Sequence, residues 1–302
     1  MEELRFSDGR IEVVVLPEIG ARIHRLRAFG HDLLRTPSDP AEHRRDPFFW
    51  GAYVMAPWGG RIDARPTALG GRTIDIASNF PDGTAIHGQV YDRPWGVDAG
   101  GRLRCDGGDD GWPWRYGVAM RVAVADAVVT VEIALTNRAE SAMPAGLGLH
   151  PWFLRPLEVA IDATHVFGSN TDPPPRPVPV EGAFDRRVLG PMPADLDATW
   201  ADLAEPQVRL RWPDCGVSAT MRVVAPTAYI VAASPASLDA IAVEPQTHAP
   251  GGIRRLLGGE SGGLALLAPG ESVSLRMDLA FDRSPIPPAS GRRTEAGYRS
   301  NR

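Results

Sequence analysis

The sequence predicts an all-β protein, built as a large antiparallel β-sandwich. Apolar and polar residues alternate with a period of two in many segments, which is typical of strands that bury one face. Glycine occurs 32 times and proline 29 times, and both residues are frequent in the turns between short strands. Helical periodicity is almost absent, so strands joined by turns are the expected architecture.

The alternating segments recur along most of the chain. They are RIEVVVLP (10–17), GVAMRVAV (117–124), VVTVEIALTN (128–137), QVRLRW (207–212), SATMRVV (218–224) and ESVSLRMDLAF (271–281). Turn-like stretches such as SDGR, GGDDGW, WPDCG and APGE lie at the joints. The proline-rich stretch DPPPRPVPV (172–180) predicts an extended surface loop. Alternation and apolar content both stop near residue 284, so we expect one domain over residues 1–283 and a disordered tail over 284–302.

The composition excludes several classes of protein. With 302 residues, 43% of them hydrophobic and 23% charged, the chain can bury a large core. The formal net charge of -5 and the lack of a basic block with interleaved aromatic residues argue against a nucleic-acid partner. All 32 basic residues are arginine, which excludes Schiff-base chemistry on a lysine and a phosphate-binding P-loop.

The sequence also indicates a cellular compartment. No run approaches the roughly 18 apolar residues of a membrane span, so we expect no membrane association. Residues 1–17 lack the basic and apolar regions of a signal peptide. The two cysteines, Cys105 and Cys215, lie too far apart in the sequence to form a metal-ligand cluster by themselves. We therefore expect a reduced, cytoplasmic protein.

Two kinds of catalytic site are disfavoured by spacing. The stretch GESGG (259–263) fits the G-x-S-x-G pattern with Ser261 as nucleophile, but the last histidine of the chain, His248, precedes it. We expect a glycine-rich turn there instead. His87 and His150 stand far apart, and no two histidines have the short spacing of a metal site. Distant strands can still converge, but we expect no metal ion and no cofactor.

Three segments place ionisable groups beside glycine, proline or aromatic residues at predicted strand ends. They are AIHGQVYDRPW (85–95), GLGLHPWF (146–153) and IAVEPQTHAP (241–250). A carboxylate such as Glu244, at the end of a short apolar strand, is costly to bury unless it is paired or used. Taken singly, each histidine also fits a hydrogen-bonded strand end, and Glu244 also fits a strand end that faces solvent.

Together these segments resemble a known family. A further stretch, APWGGRID (56–63), precedes the three segments, and the third segment contains VEPQT (243–247). These stretches resemble the motifs of the aldose 1-epimerase (galactose mutarotase-like) family and follow one another in the same order. The stretches LDATWADL (196–203) and LAPGESVSLRMDLAF (267–281) also resemble family elements, so the resemblance covers about residues 5–283.

The resemblance implies a galactose mutarotase-like supersandwich with an open cleft. It also implies an isomerase of carbohydrate metabolism that interconverts the α and β anomers of an aldose through the open-chain aldehyde. This reaction needs a base for the O1 hydroxyl and an acid for the ring oxygen. By resemblance Glu244 is the base and His150 the acid, on opposite sides of the ring, and His87 polarises or orients the sugar. The glycines of residues 146–153 would let the strand approach the sugar, with Phe153 packed beneath it.

The remaining site residues also follow from the resemblance. Arg61 and Asp197 match residues that bind sugar hydroxyls, and Trp152 replaces a tyrosine as the aromatic floor. Gly60 departs from the family pattern, which has asparagine there, and this puts the substrate preference in doubt.

Two other functions stay open at this point. One is a non-catalytic carbohydrate-binding protein on the same fold, and the other is a related epimerase that acts on a phosphorylated or acidic sugar. Arginines near the motif segments could meet such an anion: Arg61, Arg65, Arg72 and Arg93. In every case the partner is a small-molecule sugar, and the protein is a monomer or a homodimer.

Overall fold

The computed structural model describes residues 2–108, 110–168 and 174–283, and these residues form 24 strands. The prediction of an all-β fold is confirmed. Helical structure in the described residues is limited to α1 (Glu42–Arg45), α2 (Gly252–Gly258) and a 3-10 turn (Gly182–Phe184). Neither α-helix has the length or the apolar character to cross a bilayer. The predicted tail, 284–302, lies outside the described residues.

The strands are numbered in chain order. They are β1 (Leu4–Ser7), β2 (Ile11–Leu16), β3 (Arg22–Ala28), β4 (His31–Asp32), β5 (Ala52–Met55), β6 (Arg61–Asp63), β7 (Thr67–Leu69), β8 (Arg72–Ile74), β9 (Thr84–Ile86), β10 (Gly96–Val97), β11 (Leu103–Gly107), β12 (Tyr116–Ala125), β13 (Val128–Asn137), β14 (Met143–Ala145), β15 (Gly148–Leu154), β16 (Glu158–Phe167), β17 (Val178–Pro179), β18 (Gly190–Pro191), β19 (Asp197–Trp212), β20 (Val217–Val224), β21 (Tyr229–Ala233), β22 (Ala240–Gln246), β23 (Ala265–Leu267) and β24 (Ser272–Arg283).

The strands form two antiparallel layers that share two long strands. One layer runs in the order β10-β11-β12-β13-β24-β20, and the other runs β1-β2-β3-β5-β15-β22-β21. The first part of β19 pairs with β21 and its last part pairs with β20, while β16 pairs with β19 along both parts. The two layers are therefore one hydrogen-bonded sheet, curled into a sandwich.

The period of two along β15 decides which side chains face the core. Leu149 and Phe153 point between the layers and pack near Met277 of β24. His150 and Trp152 alternate with them and so point to the other face of the sheet. The expectation that Phe153 packs beneath the sugar is wrong, because this alternation places its ring in the core between the layers.

Candidate active site

A cleft of about 310 Å³ lies on the face of the second layer that points away from the core. This volume is at the lower end of the range of about 300–1,000 Å³ that is usual for ligand pockets. The cleft is lined by side chains from β5, β15, β19, β21 and β22 and by the loops beside them. All six site residues predicted from the sequence line it: Arg61, His87, His150, Trp152, Asp197 and Glu244.

Glu244 and His150 form a buried pair on neighbouring strands. The register that pairs Gly148 with Gln246 sets His150 opposite Glu244, and both side chains point into the cleft. His150 Nε2 lies 3.1 Å from Glu244 Oε1, and only 6% and 3% of the two side chains are exposed. Gln246 Nε2 donates a hydrogen bond of 3.0 Å to Glu244 Oε2. The pair is thus in direct contact, side by side rather than on two opposed walls.

Burial moves the two pKa values of this pair in opposite directions. Removal from water raises the pKa of Glu244 well above its usual 4.5, and the nearby charge of Asp197 raises it further. Removal from water lowers the pKa of His150 to about 3. Both shifts disfavour the charged forms, so the pair holds a single proton over a wide range of pH.

Two aromatic rings hold the imidazole of His150 in place. The ring of Tyr53 stacks on it with centroids 4.7 Å apart and an interplanar angle of 21°, and Trp152 lies 5.0 Å away. The Tyr53 hydroxyl and Trp152 Nε1 both donate to the backbone carbonyl of Phe48, at 3.2 and 2.6 Å. This shared acceptor fixes both rings, and with them the plane of the imidazole.

His87 is held in a strained turn at the edge of the same pair. Its φ of 62° is left-handed, a conformation that costs a residue with a Cβ about 1–2 kcal/mol. Its ring lies edge-on to His150, with centroids 4.9 Å apart. Its Nδ1 accepts a hydrogen bond of 3.3 Å from the N–H of Gly60, and burial lowers its pKa well below the usual 6.5. The neutral ring therefore carries its proton on Nε2, as a donor.

Arg61 and Asp197 lie at the rim of the cleft. Arg61 Nε donates to Asp82 Oδ2 at 2.7 Å, and its guanidinium lies 5.2 Å from the ring of Phe80. Asp197 is exposed as a residue, yet loss of water around its carboxyl raises its pKa, an effect that the charge of Arg61 partly offsets. Both groups can thus reach a bound molecule from the solvent side.

Within residues 2–108, 110–168 and 174–283, no three histidine, cysteine, aspartate or glutamate side chains are grouped so that they could hold a metal ion.

Comparison with known proteins identifies the family. The family model described as aldose 1-epimerase matches residues 2–279. The chain belongs to the aldose 1-epimerase family. Among solved structures it is similar to a candidate aldose 1-epimerase from Escherichia coli K12, with 20% identity, a TM-score of 0.80, and coverage of 94% of this chain and 99% of that one. It is also similar to a galactose mutarotase-like protein from Clostridium acetobutylicum, with 17% identity, a TM-score of 0.79, and coverage of 93% and 95%.

A curated relative is the uncharacterized protein YphB of Escherichia coli K12, which is 28% identical over 184 residues. The match spans 56% of this chain and 61% of YphB. The structural matches confirm the galactose mutarotase-like supersandwich of the aldose 1-epimerases as the fold.

Several residues of this family member's cleft were missed at the level of sequence: Phe48, Phe49, Tyr53, Asp195, Gln246 and His248. Gln246 could have been found, because it stands two residues after Glu244 on one strand and so shares its face. His248 has no such signal. Its Nε2 accepts the N–H of Gly59 at 2.9 Å and its Nδ1 lies 2.9 Å from the carbonyl of Ala249, so it ties the loop before Arg61 to the end of β22.

The glycines of residues 146–153 lie close to neighbouring side chains of the protein. A Cβ on Gly146 would lie 2.4 Å from the ring of His248, and a Cβ on Gly148 would lie 2.4 Å from Met55. These glycines make room for neighbouring side chains of the protein, and their role in admitting a sugar stays a prediction.

Proposed function

We propose that the protein is an aldose 1-epimerase (mutarotase), an isomerase that interconverts the α and β anomers of an aldose. The observation that carries the proposal is the contact of 3.1 Å between His150 Nε2 and Glu244 Oε1, both buried on the cleft face. A binding protein would gain nothing from a buried carboxyl that resists ionisation, whereas a proton-transfer enzyme needs groups with displaced pKa values.

The geometry of the pair fits the chemistry of ring opening. The O1 hydroxyl and the ring oxygen are both bonded to C1, so an acid and a base that serve them must lie close together. Glu244 takes the proton from O1 while His150 gives a proton to the ring oxygen. The bond between C1 and the ring oxygen then breaks, and C1 becomes the aldehyde.

Over one reaction cycle the pair of Glu244 and His150 neither gains nor loses a proton. Burial favours carboxylic acid and neutral imidazole at rest, so the proton first passes across the 3.1 Å contact to give carboxylate and imidazolium, and ring opening then returns the pair to its resting form. Rotation about the C1–C2 bond exposes the other face of the aldehyde. Ring closure then returns the proton from Glu244 to O1 and one from the ring hydroxyl to His150, so no proton is gained or lost.

The other cleft residues take binding roles in this proposal. His87 Nε2 donates to a sugar oxygen beside the acid–base pair, since its Nδ1 is already an acceptor. Arg61 and Asp197 bind hydroxyl groups at the rim, and the indole of Trp152 forms the apolar floor. Gly60 contributes its backbone N–H to His87, so the side chain missing at this position leaves the positioning of that ring intact.

The charges of the cleft favour an uncharged sugar over a phosphorylated one. Among the described lining residues, Arg61 is the only arginine, and it is paired with Asp82. Asp195 and Asp197 line the same cleft and would repel a phosphate. The other arginines considered as anion contacts lie outside the lining: Arg65, Arg72 and Arg93.

The test is the rate of mutarotation, measured by polarimetry and by exchange NMR on fresh α-anomers of neutral and 6-phosphorylated hexoses. We expect acceleration of a neutral sugar. Glu244→Gln and His150→Gln should each lower kcat by about 10²- to 10⁴-fold, and the double variant should be little worse, because the two residues act as one unit. Arg61→Ala should mainly raise KM.

Two results would decide against the proposal. A Glu244→Gln variant with the wild-type rate would show that Glu244 is not the base. A wild type that binds a sugar but does not accelerate its mutarotation would favour the non-catalytic carbohydrate-binding protein.

A further inference from the structure

Arg22 is a fully buried arginine next to the candidate active site. It is 0% exposed, and no carboxylate of the described residues forms an ion pair with it. Its guanidinium instead donates to three backbone carbonyls, those of Trp50 at 2.6 Å, Pro47 at 2.7 Å and Tyr91 at 3.2 Å. Burial lowers the pKa of Arg22 to about 10, so the group is still a cation at neutral pH. The carboxylates of Asp92 and Asp46 act on it through their charge but do not contact it, and a buried cation with no carboxylate in contact is costly, which calls for a reason.

The segment that Arg22 holds forms one wall of the cleft. Residues 47–50, the aromatic wall, place the rings of Phe48 and Phe49 in the cleft lining. Each of the four carbonyls of the wall accepts a hydrogen bond from a side chain: Pro47 and Trp50 from Arg22, Phe48 from Tyr53 and Trp152, and Phe49 from Arg35. Because every carbonyl of the segment is held by a side chain, the wall has little freedom to move.

Arg22 also reaches His150 through Tyr53. The Arg22 guanidinium carbon lies 4.6 Å from the centroid of the Tyr53 ring, and the same ring stacks on His150 at 4.7 Å. A cation over an aromatic ring holds that ring in position. Arg22 therefore contacts both supports of the imidazole, the stacked ring and the wall segment whose Phe48 carbonyl fixes it.

We propose that Arg22 is a positioning residue for the reaction, which holds the His150 ring opposite Glu244 through Tyr53 and through the carbonyls of the aromatic wall. The inference rests on the proposed function, because it assigns Arg22 to the acid–base pair of that reaction. A purely structural arginine would stabilise the fold without affecting the orientation or the charge of His150.

The charge of Arg22 should affect the pH dependence of kcat, which a purely structural residue would leave unchanged. The charged or titratable groups that face His150 are Glu244 from β22, His87 from the turn after β9, Tyr53 from β5, and Arg22 behind Tyr53. After burial, the positive charge of Arg22 is a further cause of the lowered pKa of His150. At low pH His150 takes up a second proton on the pair and kcat should fall, which gives the acid limb of the profile of kcat against pH. Removing the charge of Arg22 should raise the pKa of His150 and so move this acid limb to higher pH.

Two substitutions separate geometry from charge. Arg22→Lys keeps the charge but loses the planar fork that spans the carbonyls of Pro47 and Trp50, and Arg22→Met loses both. We expect each to lower kcat by about 10²-fold with KM little changed, since a small misplacement of a catalytic group has an effect of that size. Only Arg22→Met should shift the acid limb.

The matched control is Arg72→Lys. Arg72 also donates to a backbone carbonyl, that of Pro113 at 2.6 Å, and lies 5.9 Å from the ring of Trp114, but it does not line the cleft. Its variant should keep the wild-type kcat. Tyr53→Leu serves if Arg22→Met does not fold, because it removes the stack while Arg22 stays, and it should lower kcat in the same way. Wild-type kcat in folded Arg22→Lys and Tyr53→Leu would overturn the proposal.

An NMR measurement separates a failure of this proposal from a failure of the proposed function. The imidazole proton signals of His150, assigned by their absence in His150→Gln, carry the ring-current shift of the stacked Tyr53. We expect Arg22→Lys to change that shift, even if the wild type has no mutarotase activity. An unchanged shift would overturn the role of Arg22, whatever the wild-type activity is.

Discussion

Replacing Glu244 by glutamine should make the protein more stable, and increasingly so as the pH rises. Glutamine has nearly the same size as glutamate. Its amide oxygen can accept from Gln246 and its amide nitrogen can donate to His150, so both contacts of the carboxyl are kept. The main change is that the buried group no longer titrates.

The expected change in the free energy of unfolding with pH follows from the displaced pKa values of Glu244 and His150. Glu244 has a pKa raised above 4.5 in the folded state, so its contribution to stability is present below pH 4.5 and is lost as the pH rises towards the folded value. His150 has a folded pKa of about 3 against 6.5 when unfolded, so its contribution is present above pH 6.5 and is lost as the pH falls towards 3.

Between pH 4.5 and 6.5 the two effects cancel in the wild type, because the folded pair and the unfolded pair each bind one proton. Above 6.5 only the loss from Glu244 remains. In Glu244→Gln that loss is absent. The free energy of unfolding of the variant should therefore gain about 1.4 kcal/mol on the wild type for each pH unit above 4.5, until the folded pair releases its proton.

Urea unfolding followed by tryptophan fluorescence, at a series of pH values on both sides of 4.5 and 6.5, measures this difference. Groups common to both proteins cancel. His150→Gln is the control with the opposite sign, because it should lose about 1.4 kcal/mol per pH unit on the wild type between 4.5 and 6.5 and nothing more above. A difference between Glu244→Gln and wild type that does not vary with pH would refute the reasoning, since Glu244 would then titrate alike in both states.

Two further predictions concern the frame of the site. Gly88→Ala should lower the melting temperature strongly, because Gly88 has a φ of 76° and a Cβ there would lie 2.0 Å from the carbonyl oxygen of Ala56. Gly30→Ala has a φ of 90° but open space around it, so it should cost only the backbone strain of about 1–2 kcal/mol. Deletion of residues 284–302 should leave the rate of mutarotation unchanged, because strand β24 ends at Arg283 and the deleted segment has little apolar content. A deletion variant that aggregates or loses its rate would contradict the predicted domain boundary.

Much of the strand content could be predicted because period-two alternation directly reports one buried face. The segment 128–137 is strand β13 over its whole length, and 117–124 lies within β12. The long strand β19 could not be predicted, because Pro206 interrupts the pattern. In the structure this proline lies between the part of β19 that pairs with β21 and the part that pairs with β20. A residue without an N–H is tolerated there, since no ladder bond is needed.

Some residues of the candidate site could likewise be predicted from the sequence, and others could not. The residues that carry charge, such as Glu244 and His150, stand out in sequence because burying them is costly. Their supports do not stand out. The group that fixes both Tyr53 and Trp152 is the backbone carbonyl of Phe48. Because every residue has a backbone carbonyl, only the tertiary structure shows which one accepts these hydrogen bonds.

The position of β24 has a consequence for how the chain is made. Among the described residues this strand comes last in the sequence, yet it lies between β13 and β20, with hydrogen bonds to both. While the ribosome is still adding residues 272–283, the edges of β13 and β20 have no partner, and open strand edges are where chains associate wrongly. The sandwich can close at this point only after translation has passed Arg283, so until then the nascent chain is open to wrong association along these two edges.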